Sequence, residues 1–365
     1  MVKCRHHEKE VTSLSNKYLG YIGTYTKGDS KGIYTFTLDA EKRELQELKL
    51  AAELENPTYV AISHDNKFLY SVAKSGENGG IASYSINPEN GELQSINQQL
   101  LKGASPCHVS INQDNSLAVT ANYHKGTIES YSVNSNNGKV SPAASVSEHS
   151  GSGPNKDRQE KPHAHYSGFT PDEKFVAAID LGIDKLITYK VTGPALSELR
   201  SFTFRPGSGP RHLAFHPNRK FAYVMTELSS EVVALEYDQV NGSFTELQYI
   251  SAIPADFQEN NQGSAIHISS DGRFVYAANR GHDSIAVFQV NQDNGELSFV
   301  EHTSTEGEWP RDFALDPSEQ FLVVSNQETS SLALFKRDQE SGKLSLIQSN
   351  VSVPFPVCVK FLRES

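Results

Sequence analysis

The chain has 365 residues, 37% hydrophobic and 21% charged, with 25 Gly and 16 Pro, a balance that suits many short strands joined by turns and excludes a disordered or collagen-like chain. Its formal charge of −11 repels a polyanion, and no Lys/Arg run offers a local exception, so nucleic acid is not an expected partner. Cys4, Cys107 and Cys358 are far apart and form no CxxC pair, which excludes a disulfide framework and a thiolate metal site and fits a reducing compartment.

Residues 1–17, MVKCRHHEKEVTSLSNK, lack the apolar core of a secretory signal, and no stretch reaches the roughly 18 apolar residues of a membrane span. They read as a poorly ordered tail, in which His6 and His7 have no role, ahead of a single cytoplasmic domain over residues 18–365 with no membrane partner. YLGYIGTYT at Tyr18, GIYTFTL at Gly32 and KRELQEL at Lys42 then supply three strands. From Asn56 onward one text recurs. Its copies are NPTYVAISHDNKFLYSVAKSG, SPCHVSINQDNSLAVTANYHKG from Ser105, KPHAHYSGFTPDEKFVAAIDLG from Lys161, GPRHLAFHPNRKFAYVMTELSS from Gly209, GSAIHISSDGRFVYAANRGHDS from Gly263 and WPRDFALDPSEQFLVVSNQETS from Trp309, with a degenerate FPVCVKFL from Phe355.

Each full copy reads as an apolar strand, a polar turn and a second strand with period-two alternation. A third alternating run follows, then a turn such as ENGEL at Glu89, NNGKV at Asn136 or DNGEL at Asp293, and a fourth short strand. The Gly of that turn supplies the positive φ that a tight hairpin needs. Phe68, Phe175, Phe221, Phe274 and Phe321 hold one place in their copies, with Leu117 filling it in another. Their spacing of about 50 residues, with strand rather than helix alternation, predicts an all-β seven-bladed β-propeller with four antiparallel strands per blade. Six full copies leave one blade to find. The N-terminal strands and FPVCVKFL supply it together, so both ends of the chain close the ring and remove its open edges.

Function in such a ring sits at a mouth of the central channel. Two long departures from the repeat, residues 145–160 and 252–262, are candidates to cover it. Superposing the copies brings the residues after each inner-strand proline into one ring: Thr58 and Tyr59, Cys107 and His108, His163 to His165, Arg211 and His212, Ser264, Arg311 and Asp312. Residues six past the landmark form a second ring: Lys74, Tyr123, Leu181, Glu227, Arg280 and Gln327. Polar side chains where a structural blade would be apolar mark a functional site. His163 and His165 share a strand face and suit acid/base or substrate contact, with a structural role or metal ligation as alternatives. Arg211 suits clamping an anion or stabilising an oxyanion, or else a salt bridge with Glu227. Glu227 is a candidate base or a partner of Arg211 or Arg280, while Arg280 and His282, in ANRGHDS, suit gripping an anionic group. No GxSxG elbow and no phosphate loop occurs, so neither a serine triad nor a nucleotide cofactor is expected, and with no third ligand at a suitable spacing from His163 and His165 no metal is expected either.

The texts YIGTYT, KPHAHYSGFTPD, GSGPRHLAFHP and GSAIHISSDGRFVYAANRGHDSIAVF, with the following WPRDFALDP, resemble the seven-bladed propeller lactonases, which include bacterial 6-phosphogluconolactonases and fungal carboxymuconate-lactonising enzymes. The resemblance covers residues 18 to 362. It implies that His163, or His165 by a slip in the alignment, lines an active site with Arg211, Glu227 and Arg280, while the ring and turn positions offer His165, His108, His282 and Arg311 as further substrate contacts. It implies hydrolysis of a sugar-derived lactone, most directly 6-phosphogluconolactone in the pentose phosphate pathway, by a monomer or weak homo-oligomer. Hydrolysis or formation of another carboxylated or sugar lactone and a non-enzymatic scaffold remain the alternatives.

Overall fold

A computed structural model describes residues 16–364. Every regular element among them is a strand, 28 in all, arranged as seven four-stranded antiparallel sheets. Numbered from the first complete repeat, the blades span residues 60–102, 108–148, 164–203, 210–251, 262–304 and 310–352, each running in chain order from the axis outward. The seventh takes its outer three strands from residues 17–53 and its innermost from Pro356–Phe361, which pairs with Lys17–Thr24. The expectation for the tail falls, except for its last two residues, outside the described range, as do Cys4, His6 and His7. Lys17 already opens a strand.

The core is divided rather than continuous. Seven apolar clusters each join two adjacent blades, so every interface of the ring, including the one across the chain ends, has its own. Period-two alternation is what allows this, since both faces of a middle strand meet a neighbouring blade. Phe175–Asp180 and Phe221–Thr226, for example, are buried along their whole length.

The recurring hairpin glycine and the aromatic landmark turn out to be one device. Gly138 has φ +71° and Gly342 φ +73°, a conformation costly for a side chain. A Cβ on Gly138 would also lie 2.4 Å from the Phe68 ring of the preceding blade, and one on Gly342 2.3 Å from Phe274. The tight turn of one blade is thus the lid on the landmark of the blade before it, and burying each Phe there contributes roughly 2 kcal/mol. Tyr223 and Tyr276 add a polar lock, each donating its hydroxyl proton to the carbonyl of the next blade's turn glycine, Gly295 at 3.0 Å and Gly342 at 2.9 Å.

Candidate active site

The innermost strands begin with a fault in their pairing. Pro210 pairs with Thr226 and His212 with Met225, so Arg211 has no partner and bulges. Arg311 bulges in the same way between Pro310 and Asp312, and His165 between Ala164 and Tyr166. A β-bulge re-aims the side chain it carries. Here the bulged residues turn towards the axis, where they meet Thr58 and Cys107 from the blades whose inner strands start just after these residues.

This register settles which histidine faces the axis. Counting onward from Pro162 selects His163, but the structure puts Ala164 in the slot that Pro210 and Pro310 occupy, so His165 is the ring member. His163 lies behind the cavity wall. Its ring stacks on Tyr123 with centroids 4.2 Å apart, and its nitrogens meet the Tyr123 carbonyl at 2.9 Å and the Glu160 carboxylate at 3.1 Å. His165 lines the cavity, and its buried Nδ1 has no hydrogen-bond partner.

The cavity measures about 550 Å³ and lies at one mouth of the channel, a size typical of small-molecule sites. Its walls carry Lys74, Arg158, Arg280 and Arg311 against one carboxylate, Glu227, with Arg211 directly beneath. In a chain of net charge −11, this is a local reversal of sign that concentrates small anions. Glu227 is the hub. Its Oε2 lies 2.7 Å from Arg280 and 3.1 Å from Arg211 Nε, and its Oε1 accepts a hydrogen bond from Arg158. Burial opposes its charge, yet the surrounding guanidiniums prevail and hold the carboxyl far below the usual range. Burial, reinforced by Arg280 and Arg311, pushes Arg211 down to about 9. Burial, with Arg211 adding to it, also keeps the His165 imidazole well below its ordinary value of 6.5, hence neutral.

Two aromatic residues complete the wall. Trp309 adopts φ +64°, rare for a bulky residue and costly by about 1–3 kcal/mol, and presents its indole to Arg280, 5.5 Å from ring centroid to guanidinium. Tyr25 does the same for Arg311 at 5.4 Å.

Of the residues expected here, Arg211, Glu227, Arg280, His165 and Arg311 come together. His108 does not: one step past Cys107, it faces the opposite mouth, packed between Tyr59 and Tyr166 at 4.2 and 4.5 Å. His282 also stays away from the cavity, with Nδ1 2.7 Å from Ser284 Oγ and its ring against Phe257. Leu181 and Gln327 are buried outside the lining. Arg158, Tyr25 and Trp309 join the lining from outside the two rings. The signal for Arg158 was the long non-repeating segment that carries it, and for Trp309 its place directly before an inner-strand proline.

A family model described as lactonase, 7-bladed beta-propeller, matches residues 19–361. The chain is 59% identical to the 6-phosphogluconolactonase of Bacillus subtilis over 348 residues, 95% of this chain and 99% of that one. Among solved structures, a protein from Lactobacillus plantarum superposes with a TM-score of 0.91 at 43% identity, covering 95% of this chain and 99% of that one. The periplasmic gluconolactonase of Pseudomonas aeruginosa superposes with a TM-score of 0.89 at 32% identity and the same coverages. The bulged ring, the cationic cavity and these likenesses agree: the chain belongs to the seven-bladed β-propeller lactonases.

Proposed function

We propose that the protein hydrolyses 6-phosphogluconolactone to 6-phosphogluconate, with His165 activating the water. The observation that carries the reading is the unbonded, neutral imidazole of His165 in a wall where Glu227 and its arginines are already committed to one another. Glu227, held ionised by its arginines, is a poor proton acceptor. It serves instead to fix Arg211 and Arg280 and to offset the positive charge that His165 gains.

In the reaction His165 takes a proton from water and the oxygen bonds to the ring carbonyl carbon. The carbonyl oxygen becomes an oxyanion facing Arg211 or Arg280, whose buried guanidiniums stabilise it. When the carbonyl re-forms, the bond to the ring oxygen breaks and the imidazolium returns its proton to that oxygen. A lactone is strained towards attack, so the chemistry asks for no metal, and no group of three His, Cys, Asp or Glu fit to hold one occurs among the described residues. The similarity to the Bacillus subtilis enzyme supports the phosphorylated substrate, and so does the cation excess of the cavity. The free thiols of Cys107 and Cys358 support a cytoplasmic setting, and the net charge of −11 supports action without nucleic acid. We place the enzyme there as a monomer or weak homo-oligomer with no membrane partner.

The test is hydrolysis of freshly prepared 6-phosphogluconolactone with a chelator present, followed by proton release. A rate equal to spontaneous hydrolysis overturns the reading. Equal specificity constants for the phosphorylated and unphosphorylated lactones would remove the phosphosugar from it.

A further inference from the structure

Three guanidiniums reach Glu227, and only one comes from outside the repeat. The Arg211 and Arg280 side chains are almost wholly buried, at 3% and 4% exposure, whereas that of Arg158 retains 31%. Arg280 is also tied to the carbonyls of Gly263 at 2.8 Å and Gln262 at 3.3 Å. Arg158 hydrogen-bonds Glu227, and its only other side-chain neighbour of this kind is the Tyr123 hydroxyl, so no buried carbonyl ties it down.

The segment that brings Arg158 in is firmly anchored. One buried carboxylate holds both of its ends: Asp180 Oδ2 lies 2.6 Å from His149 Nδ1, and Asp180 Oδ1 accepts the His163 amide at 2.8 Å. In between, the fully buried Gln159 donates to the Leu181 carbonyl at 2.9 Å and accepts from the Asn155 amide at 3.2 Å. The backbone under Arg158 is therefore fixed, and what can move is its long side chain.

We propose that Arg158 is a specificity-determining residue that exchanges Glu227 for the phosphate of the incoming lactone. The proposal rests on the lactonase reading above. A phosphate carrying nearly two charges offers a guanidinium a stronger, bidentate partner than a carboxylate already shared by two others. Glu227 keeps Arg211 and Arg280 after the exchange, so no buried charge is left unpaired. Losing one cation also makes Glu227 more negative towards His165, so that the far end of the substrate strengthens the base at the reacting end.

The test compares Arg158→Met and Arg158→Lys with the wild type in two ways: the ratio of kcat/KM for 6-phosphogluconolactone over glucono-δ-lactone, and the calorimetric preference for 6-phosphogluconate over gluconate. Arg158→Met is expected to reduce both preferences at least tenfold, and Arg158→Lys to recover part of the loss. A substitution that lowers both lactones equally, or leaves the calorimetric preference unchanged, overturns the proposal, as does a wild type with no preference for 6-phosphogluconate. A wild type that binds 6-phosphogluconate selectively but hydrolyses neither lactone overturns the lactonase reading alone.

Discussion

The two mouths of the axial channel are built from neighbouring residues of the same seven strands, yet they differ in kind. At one, Thr58, Cys107, His165 and Arg311 border a cavity with surplus positive charge. At the other, one residue past Thr58, Cys107, His165 and Arg211, the rings of Tyr59, His108, Tyr166 and His212 pack against one another. Of the cations there, Lys360 is matched by Asp312 at 3.7 Å and by the Tyr59 hydroxyl at 3.2 Å, and Arg363 sits at the edge. At His165, Arg211 and Arg311 a bulge makes the difference, because it gives the residue a direction that regular pleating would deny it. The first mouth keeps donors and an imidazole for a ligand, whereas the second turns its aromatic rings and Lys360 on one another.

The comparison breaks most severely at Glu227. Glu227→Gln is expected to reduce kcat by about 100-fold or more and to destabilise the fold by roughly 3 kcal/mol, since it leaves buried guanidiniums without their counter-charge. Initial rates and denaturant unfolding measure the two effects. Next come the paired substitutions at the PHAH text. His165→Gln should lower kcat by about 100-fold with little change in unfolding, because the ring has no bonded partner to lose. His163→Gln should instead lower stability by about 1–2 kcal/mol through its lost contacts to Tyr123 and Glu160, with the smaller effect on kcat.

Protons probe both mouths at once. Burial holds His108, His165 and His212 well below 6.5. Below that pH the unfolded chain takes up protons that the folded one refuses, so stability is complete above about 6.5 and declines as pH falls, by roughly 1.4 kcal/mol per pH unit for each imidazole. Urea unfolding between pH 7 and 5 should show that slope, and a flat profile would mean that the imidazoles are accessible to water. The smallest effect belongs to the second mouth, where His108→Phe preserves the ring packing and should change kcat/KM by less than about threefold.

Most of the architecture can be read from the chain because a propeller repeats its physics. The Asn-Gly and Ser-Gly turns, the aromatic landmarks and the polar interruptions recur at one spacing, and the shared closing blade follows from counting strands. The site is less legible where repetition fails. A bulge shifts register by one residue without changing composition, so sequence offers His163 and His165 as equals, and it places His108 with Arg211 and Arg311, from whose cavity it turns away. Arg158 lies in a segment with no counterpart in other blades, and only coordinates show that its side chain enters the cavity. Trp309 was visible as a residue but not as an outlier in φ.

The closing blade has a consequence for how the molecule is made. The strand Pro356–Phe361 completes a sheet begun more than 300 residues earlier, and Tyr25, which faces Arg311 across the cavity, donates its amide to the Phe355 carbonyl at 3.1 Å. While this stretch is still inside the ribosome, the ring remains a horseshoe with the first-made strand exposed and the cavity wall unfinished. A prematurely terminated product therefore lacks a working site and displays a raw edge to quality-control proteases, and the ability to turn over substrate arrives only with the last strand.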